Sequence, residues 1–266
     1  MNTIKQYLLS LQQENNITDL NDIEILVKKH ASELSFTSIP VLLKKELSLE
    51  LSMIIEKIVE KKEGGYCFEH NKLLFEALKY SGFDVKSLLG RVIKNKDITP
   101  PKTHRFILLN YEDERYIVDV GFGYMSPSKP IKFGDVPTTT HLGIKYRVKE
   151  HENEIFSLEV VLDEDFYTLY QFDLKTCYEV DFELSHFYSH RHKSATFVNN
   201  FVLSCILEEE VRSIRNSSYH KIFADYTKKI NIESSEQLQE ILKLEFSYPI
   251  SVDEVQYIYN NFVRTK

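Results

Sequence analysis

Cys67 lies in the run Glu63-Gly64-Gly65-Tyr66-Cys67-Phe68-Glu69-His70-Asn71. Two glycines let the backbone turn tightly and approach a substrate closely. Downstream, Phe68, Leu74, Phe75 and Leu78 recur at helical spacing, which puts Cys67 at a helix N-terminus. Unpaired N–H groups and the helix dipole there favour a thiolate and can hold a developing oxyanion. The residues alone leave a second reading open, that of a small buried hydrophobe. Cys177 has no such context, and Cys205, inside Phe201-Val202-Leu203-Ser204-Cys205-Ile206-Leu207, reads as core.

A nucleophilic thiol needs a base, and the base needs an acceptor to hold it. Among nine histidines, His104 stands out because Thr103-His104-Arg105-Phe106-Ile107-Leu108-Leu109 reads as a strand. Tyr111-Glu112-Asp113-Glu114 would turn it back into Arg115-Tyr116-Ile117-Val118-Asp119-Val120-Gly121. If the turn holds two residues, opposed positions have numbers of odd sum. His104 and Asp119 then share a face, opposite or diagonal, within reach of a hydrogen bond. A three-residue loop would reverse this. Asp119 sits between Val118 and Val120, where a carboxylate is costly unless paired. The residues alone leave open a purely structural His–Asp pair, or a cap for the Gly121-Phe122-Gly123 turn.

His186, His190 and His192 fall within seven residues, but Arg191 and Lys193 would repel a cation. No metal site is expected there. Gly121-Phe122-Gly123 lacks the third glycine and following helix of a nucleotide-binding fingerprint.

The elements that must position these residues follow from periodicity. Residues 1 to about 82 read as helical, with Asp22 as the expected cap of a helix over 23–34 and Gly82 as a C-terminal stop. Strands are expected over 85–93, 103–110, 115–120, 146–148, 155–162 and 167–172. The helical signal returns at 197–207, and the tail mixes both patterns. Helical, then β, then mixed order in 266 residues describes one elaborate enzyme-sized chain.

A hydrophobic fraction of 42% with 27% charged residues is that of a soluble globular protein. A net charge of -7 disfavours nucleic acid as the main partner. The N-terminal MNTIKQYLLSLQQENN lacks the apolar core and cleavage site of a signal peptide, and no window is apolar enough to span a membrane. Three cysteines without paired spacing fit a reducing cytoplasm.

Three blocks in order resemble the arylamine N-acetyltransferases: residues 64–71, Thr103-His104, and Asp119-Val120-Gly121-Phe122-Gly123. Weaker similarity runs from Ser35-Phe36 to Phe197-Val198-Asn199-Asn200. The resemblance implies an α+β fold in three parts: a helical bundle (1–84) carrying the nucleophile, a central β-barrel (85–194) carrying His and Asp, and a C-terminal α/β lid (195–266). The catalytic core implied is cysteine-protease-like. The implied chemistry is ping-pong. Cys67 takes acetyl from acetyl-CoA, the nitrogen of an arylamine, arylhydrazine or hydrazide takes it from Cys67, His104 handles protons and Asp119 holds the imidazole. No metal enters, and oligomeric state, monomer or dimer, is left undecided. By resemblance Phe122 and Tyr124, with Phe36, face the acceptor pocket. Thr103 and Gly123 are the expected CoA contacts.

Two features depart from the family pattern. Glu63 stands where Arg is usual. In Ser189-His190-Arg191-His192-Lys193-Ser194-Ala195, Arg191, Lys193 and Ala195 replace Thr, Pro and Ser. Arg191 and Lys193 are therefore expected to meet a CoA phosphate by charge. The competing readings are an amide hydrolase or cross-linking enzyme built on the same three residues, and a non-catalytic binding module.

Overall fold

The computed structural model describes residues 3–13 and 16–264. The outer ends of the expected 1–84 and 195–266 parts thus lie outside the described residues. Two helices, α1 (Thr3–Ser10) and α2 (Leu20–Glu33), open the chain. Asp19, not Asp22, caps α2: its carboxylate accepts from the Asp22 N–H, while Asp22 accepts from the Thr18 N–H and hydroxyl. The cap falls earlier than periodicity placed it because Leu20 already belongs to the first turn.

The first 82 residues are not wholly helical. A two-residue strand, β1 (Phe36–Thr37), precedes α3 (Ile39–Leu42), α4 (Leu51–Ile54) with its π-helical continuation Ile55–Glu60, and α5 (Cys67–Tyr80). β1 pairs with a strand more than 160 residues away, a partner that no local pattern announces.

Eight antiparallel strands form the central barrel: β2 (Asp84–Val92), β3 (His104–Tyr111), β4 (Glu114–Val118), β5 (Ile131–Lys132), β6 (Gly134–Thr139), β7 (Lys145–Glu150), β8 (Phe156–Leu162) and β9 (Asp165–Phe172). Their order is β5-β4-β3-β2-β9-β8-β7-β6, and a bridge between Phe133 and Val148 brings the two ends together. β3 is apolar on both faces for a reason. Phe106 and Leu108 fill the barrel with Tyr146, Leu158 and Tyr170, while Ile107 and Leu109 pack against Leu73, Leu74 and Ala77 of α5. The β3–β4 turn holds two residues, Glu112 (φ 49) and Asp113 (φ 61), and pairs Ile107 with Val118. Left-handed residues at both turn positions match the twist of a two-residue hairpin.

After α6 (Glu179–Arg191) come α7 (Thr196–Asn199) and a second sheet, in the order β1-β10-β11-β12-β13. Its strands are β10 (Val202–Ile206), β11 (Val211–Arg215), β12 (Ser218–Ile222) and β13 (Thr227–Asn231). The expected helix over 197–207 is thus a single helical turn followed by a strand. Cys205 and Ile206, on opposite faces of β10, are both buried, and such a short apolar run has no period that separates strand from helix. Helices α8 (Ser235–Phe246) and α9 (Val252–Ile258) cover this sheet, sharing a core with Ile39 and Leu42. No helix among the described residues is long and apolar enough to cross a membrane.

Candidate active site

Cys67 is the first residue of α5 and is buried. The preceding turn is set by Gly64, at φ +64, where a Cβ would lie 2.4 Å from the Ser35 carbonyl oxygen. Only glycine fits that approach. The turn is then tied to β1: Thr37 N–H donates to the Gly65 carbonyl (2.6 Å) and Gly65 N–H to the Ser35 carbonyl (3.2 Å). Glu69, buried in the first turn of α5, accepts from the Tyr66 N–H (3.2 Å) and pairs with Lys57 of the preceding helix. Glu63 points elsewhere, toward Lys45 at 3.4 Å.

β3 and β4 present His104 and Asp119 to the barrel side. Continuing their register sets Phe106 opposite Asp119, so His104 lies diagonally across on the same face. His104 Nε2 and Asp119 Oδ2 are 2.6 Å apart, both side chains buried. With Nε2 so engaged, Nδ1 is the ring nitrogen left for the Cys67 thiol, which supports the charged form of His104. Burial by itself would push the His104 pKa down. The charge and hydrogen bond of Asp119, joined by Cys67, outweigh it and raise the value to about 10. Burial likewise works against the Asp119 carboxylate, yet His104, Asn71 and the Gly121 N–H hold its pKa below the usual range.

Four donors converge on Asp119. Oδ2 takes the His104 N–H and the Tyr170 hydroxyl (3.0 Å), and Oδ1 takes the Asn71 amide (2.9 Å) and the Gly121 N–H (2.8 Å). Asn71 also donates to the Arg105 carbonyl (2.6 Å) and accepts from the Val120 N–H (3.1 Å). It sits one helical turn after Cys67 and so couples the nucleophile helix to both strands. Neither Asn71 nor Tyr170 is assigned a role by the sequence reading. For Asn71 a signal existed, an amide four residues from the cysteine on a helix face. For Tyr170, on β9 and distant in sequence, there was none.

Gly121 packs against this junction. A Cβ there would lie 2.7 Å from the Cys67 Cα and 2.5 Å from the Asn71 Nδ2. Gly121→Ala is expected to destabilise the fold by about 1–3 kcal/mol and to slow chemistry at Cys67. Urea denaturation with a thiol-alkylation rate checks both.

The remaining expected residues divide into two groups. The Thr103 carbonyl faces the Cys67 thiol at 3.6 Å. The Phe122 ring meets His104 edge-on with centroids 5.1 Å apart, Phe36 lies within 3.2 Å of the Cβ position of Gly123, and Tyr124 follows, partly exposed. Phe36 also meets Phe197, which packs on Tyr66. Arg191 and Lys193 stand exposed at and beyond the end of α6, without a hydrogen bond or ion pair to the others. Among the described residues no group of three or more His, Cys, Asp or Glu is placed to hold a metal.

Behind Cys67 runs a buried chain whose proton positions are forced. The Ser35 carbonyl can only accept, so His70 donates from Nε2 (3.2 Å) and its Nδ1 accepts from His30 Nε2–H (2.7 Å). His30 Nδ1 then accepts the Tyr7 hydroxyl (2.7 Å). Both rings are neutral: burial lowers the His70 pKa to about 4 and pushes His30 well down, with His70 adding repulsion. Folded values below the unfolded one mean that the stabilisation is present above about pH 6.5 and is lost as pH falls toward 4. Tyr7→Phe leaves His30 Nδ1 without a donor and is expected to cost about 1–3 kcal/mol in urea denaturation at pH 7. Nitrogen-15 NMR should find both rings protonated at Nε2.

The comparisons agree with this architecture. Residues 19–255 match the family model described as N-acetyltransferase. An arylamine N-acetyltransferase of Escherichia coli strain K12 is 34% identical over 189 residues, 70% of this chain and 66% of the relative, just under two thirds of its length. An arylamine N-acetyltransferase / N-hydroxyarylamine O-acetyltransferase of Salmonella typhimurium is 30% identical over 86% of this chain and 81% of its own. The solved arylamine N-acetyltransferase of Salmonella typhimurium superposes with a TM-score of 0.92 at 26% identity, covering 98% of this chain and 99% of that one. With a model matched across most of its length and a relative at this identity and coverage, the chain belongs to the arylamine N-acetyltransferase family.

Proposed function

We propose that the chain carries acetyl from acetyl-CoA, by way of Cys67, to the nitrogen of arylamines, arylhydrazines or hydrazides. The observation that carries this reading is the buried His104 Nε2–Asp119 Oδ2 pair at 2.6 Å, on a ring whose charged form Cys67 also supports. In the first half-reaction His104 shares or already holds the thiol proton, and the sulfur adds to the thioester carbonyl. The start of α5, where Cys67 sits, offers backbone N–H groups to the developing oxyanion. Collapse breaks the C–S bond to CoA, whose thiolate leaves with the imidazolium proton. In the second half-reaction the acceptor nitrogen adds to acetyl-Cys67, its proton passes to His104, and Cys67 leaves. Asp119 stays ionised throughout and holds the imidazole in place.

On the donor side, Thr103, whose carbonyl faces the thiol, and Gly123 are the CoA contacts, and exposed Arg191 and Lys193 are the cations offered to a CoA phosphate. Charge reversal of both should raise the KM for acetyl-CoA about tenfold. On the acceptor side, Phe36, Phe122 and Tyr124 offer flat apolar faces to an aryl ring.

Intact-mass measurement tests the reading. Incubation with acetyl-CoA alone should add one acetyl group, absent in Cys67→Ala and removed by an arylamine or hydrazide. No labelling and no CoA release would overturn it. Labelling that hydrolyses at the same rate with or without amine would point to the hydrolase instead.

A further inference from the structure

Helix α6 carries large apolar side chains on two sides. Inward, Phe182 is buried in the cluster around Tyr66, Cys67 and Phe68, with His186 and Ser189 buried along the same face. Outward, Val180, Leu184 and Phe187 are 60%, 71% and 64% exposed, and Tyr178 at the helix cap is 68% exposed. Exposed apolar residues are ordinary when scattered singly, but a stripe of them along one helix face marks an interaction surface. The proposed chemistry makes no use of it.

The charges of α6 are divided between its ends. Glu179, Asp181 and Glu183 lie in the first half, and His190, Arg191 and Lys193 lie at or just past the other end. Glu179 pairs with Lys72 and Arg105, and Asp181 accepts the Tyr178 N–H (2.8 Å). That leaves Glu183 and Arg191 on the outer side. Among the described residues neither side chain has a hydrogen bond or an ion pair.

The order of residues along the stripe points to its occupant. Val180, Leu184, Phe187 and Arg191 follow one another at steps of four, three and four residues, a spacing that reads the same in either direction. A second α6 laid antiparallel about a two-fold axis sets Leu184 of each copy against Phe187 of the other, and Val180 against the aliphatic stem of Arg191. Each Arg191 guanidinium then ends about one helical turn from Glu183 of the other copy. The free acid and the free cation of one copy thus complement those of its twin. An anionic lipid surface would attract one end of the stripe and repel the other.

We propose that the outer face of α6 is a two-fold interface for a second copy of this chain, with Leu184 and Phe187 at its centre and Glu183 paired with Arg191 at its rim. The face is small, so association is reversible and of micromolar strength or weaker. It does not rest on the acetyl-transfer reading. A CoA phosphate would compete for Arg191, so association is measured without CoA.

Sedimentation velocity between about 1 and about 200 µM protein tests the interface. Wild-type protein should pass from monomer toward dimer across that range. Leu184→Glu/Phe187→Glu should stay monomeric throughout, with the wild-type urea midpoint, because both side chains are exposed in the monomer. Glu183→Arg alone should weaken association about tenfold by setting like charges at the rim, and Glu183→Arg/Arg191→Glu should restore it. A wild-type chain that is monomeric at every concentration overturns the proposal. So does a dimer that Leu184→Glu/Phe187→Glu preserves, which would seat the second copy elsewhere. A monomer that co-sediments with phosphatidylcholine–phosphatidylglycerol vesicles, and loses this in the same double variant, also overturns it and gives the stripe to a lipid surface.

Discussion

Replacing Asp119 by asparagine should slow acetylation of Cys67 by acetyl-CoA about ten-thousandfold, the scale seen when a buried aspartate behind a catalytic histidine is neutralised. The environment of Asp119 explains the size. All four of its partners, His104, Asn71, Tyr170 and Gly121, donate. An amide nitrogen on the Oδ1 side would face the Asn71 and Gly121 donors, and on the Oδ2 side it would make His104 Nε2 accept, the wrong tautomer for a base at Nδ1. The imidazole then loses its counter-charge. With burial still opposing the cation and Asp119 no longer supporting it, the His104 pKa should fall steeply from about 10. Single-turnover labelling across pH reads both effects, because the wild-type profile and the variant profile should no longer coincide in shape. Equal rates in the two proteins would remove Asp119 from the chemistry.

The same pair has a stability signature of defined sign. His104 has a folded pKa above its unfolded value, so its contribution is fully present below about pH 6.5 and is lost as pH rises through about 10. Asp119 is depressed, so its contribution is present above about pH 3.9 and is lost in acid. Urea midpoints should therefore show the wild-type advantage over Asp119→Asn shrinking toward both ends.

Lys57→Met should cost about 3–5 kcal/mol of stability, the range for stripping one partner from a buried ion pair. Glu69 is 1% exposed and Lys57 14%, so the carboxylate left behind has almost no water to turn to. Methionine keeps the apolar stem and removes only the charge. Two controls separate charge from packing. Lys57→Arg should be nearly silent, and adding Glu69→Gln to Lys57→Met should recover part of the loss, because a neutral amide can still accept the Tyr66 N–H. Cys67 alkylation should also slow in the single variant, since Glu69 fixes the turn from which Cys67 starts its helix. A Lys57→Met protein as stable as the wild type would mean that the pair is solvated. This pair also resolves the departure at Glu63. The charge there faces Lys45 outside, and the cation for the nucleophile helix comes from ten residues before Cys67 instead.

Much of the route to the site was local. The glycine pair, the helix after Cys67, and the alternation around His104 and Asp119 are short-range patterns, and the sequence alone determined them. The two-residue turn at Glu112 and Asp113 then made strand parity a usable rule, because the side-chain period of a strand is two. That carried the reading as far as a shared face and an ordered resemblance. Tertiary structure decided everything that depends on partners distant in the chain. Phe36 and Thr37 became a strand only because β10 lies beside them, and 202–206 became a strand because both its faces are covered. Tyr170 reaches Asp119 only because β9 pairs with β2 beside β3, and Lys57 and Glu69 meet only where two helices pack. Lys94 reaches the Phe122 ring from beyond the end of β2, while Arg191 and Lys193, which sequence singled out by charge, stand exposed at and beyond the end of α6. Periodicity records which side of an element is apolar; which buried charge finds which partner is settled only when separate elements close around a low-dielectric interior.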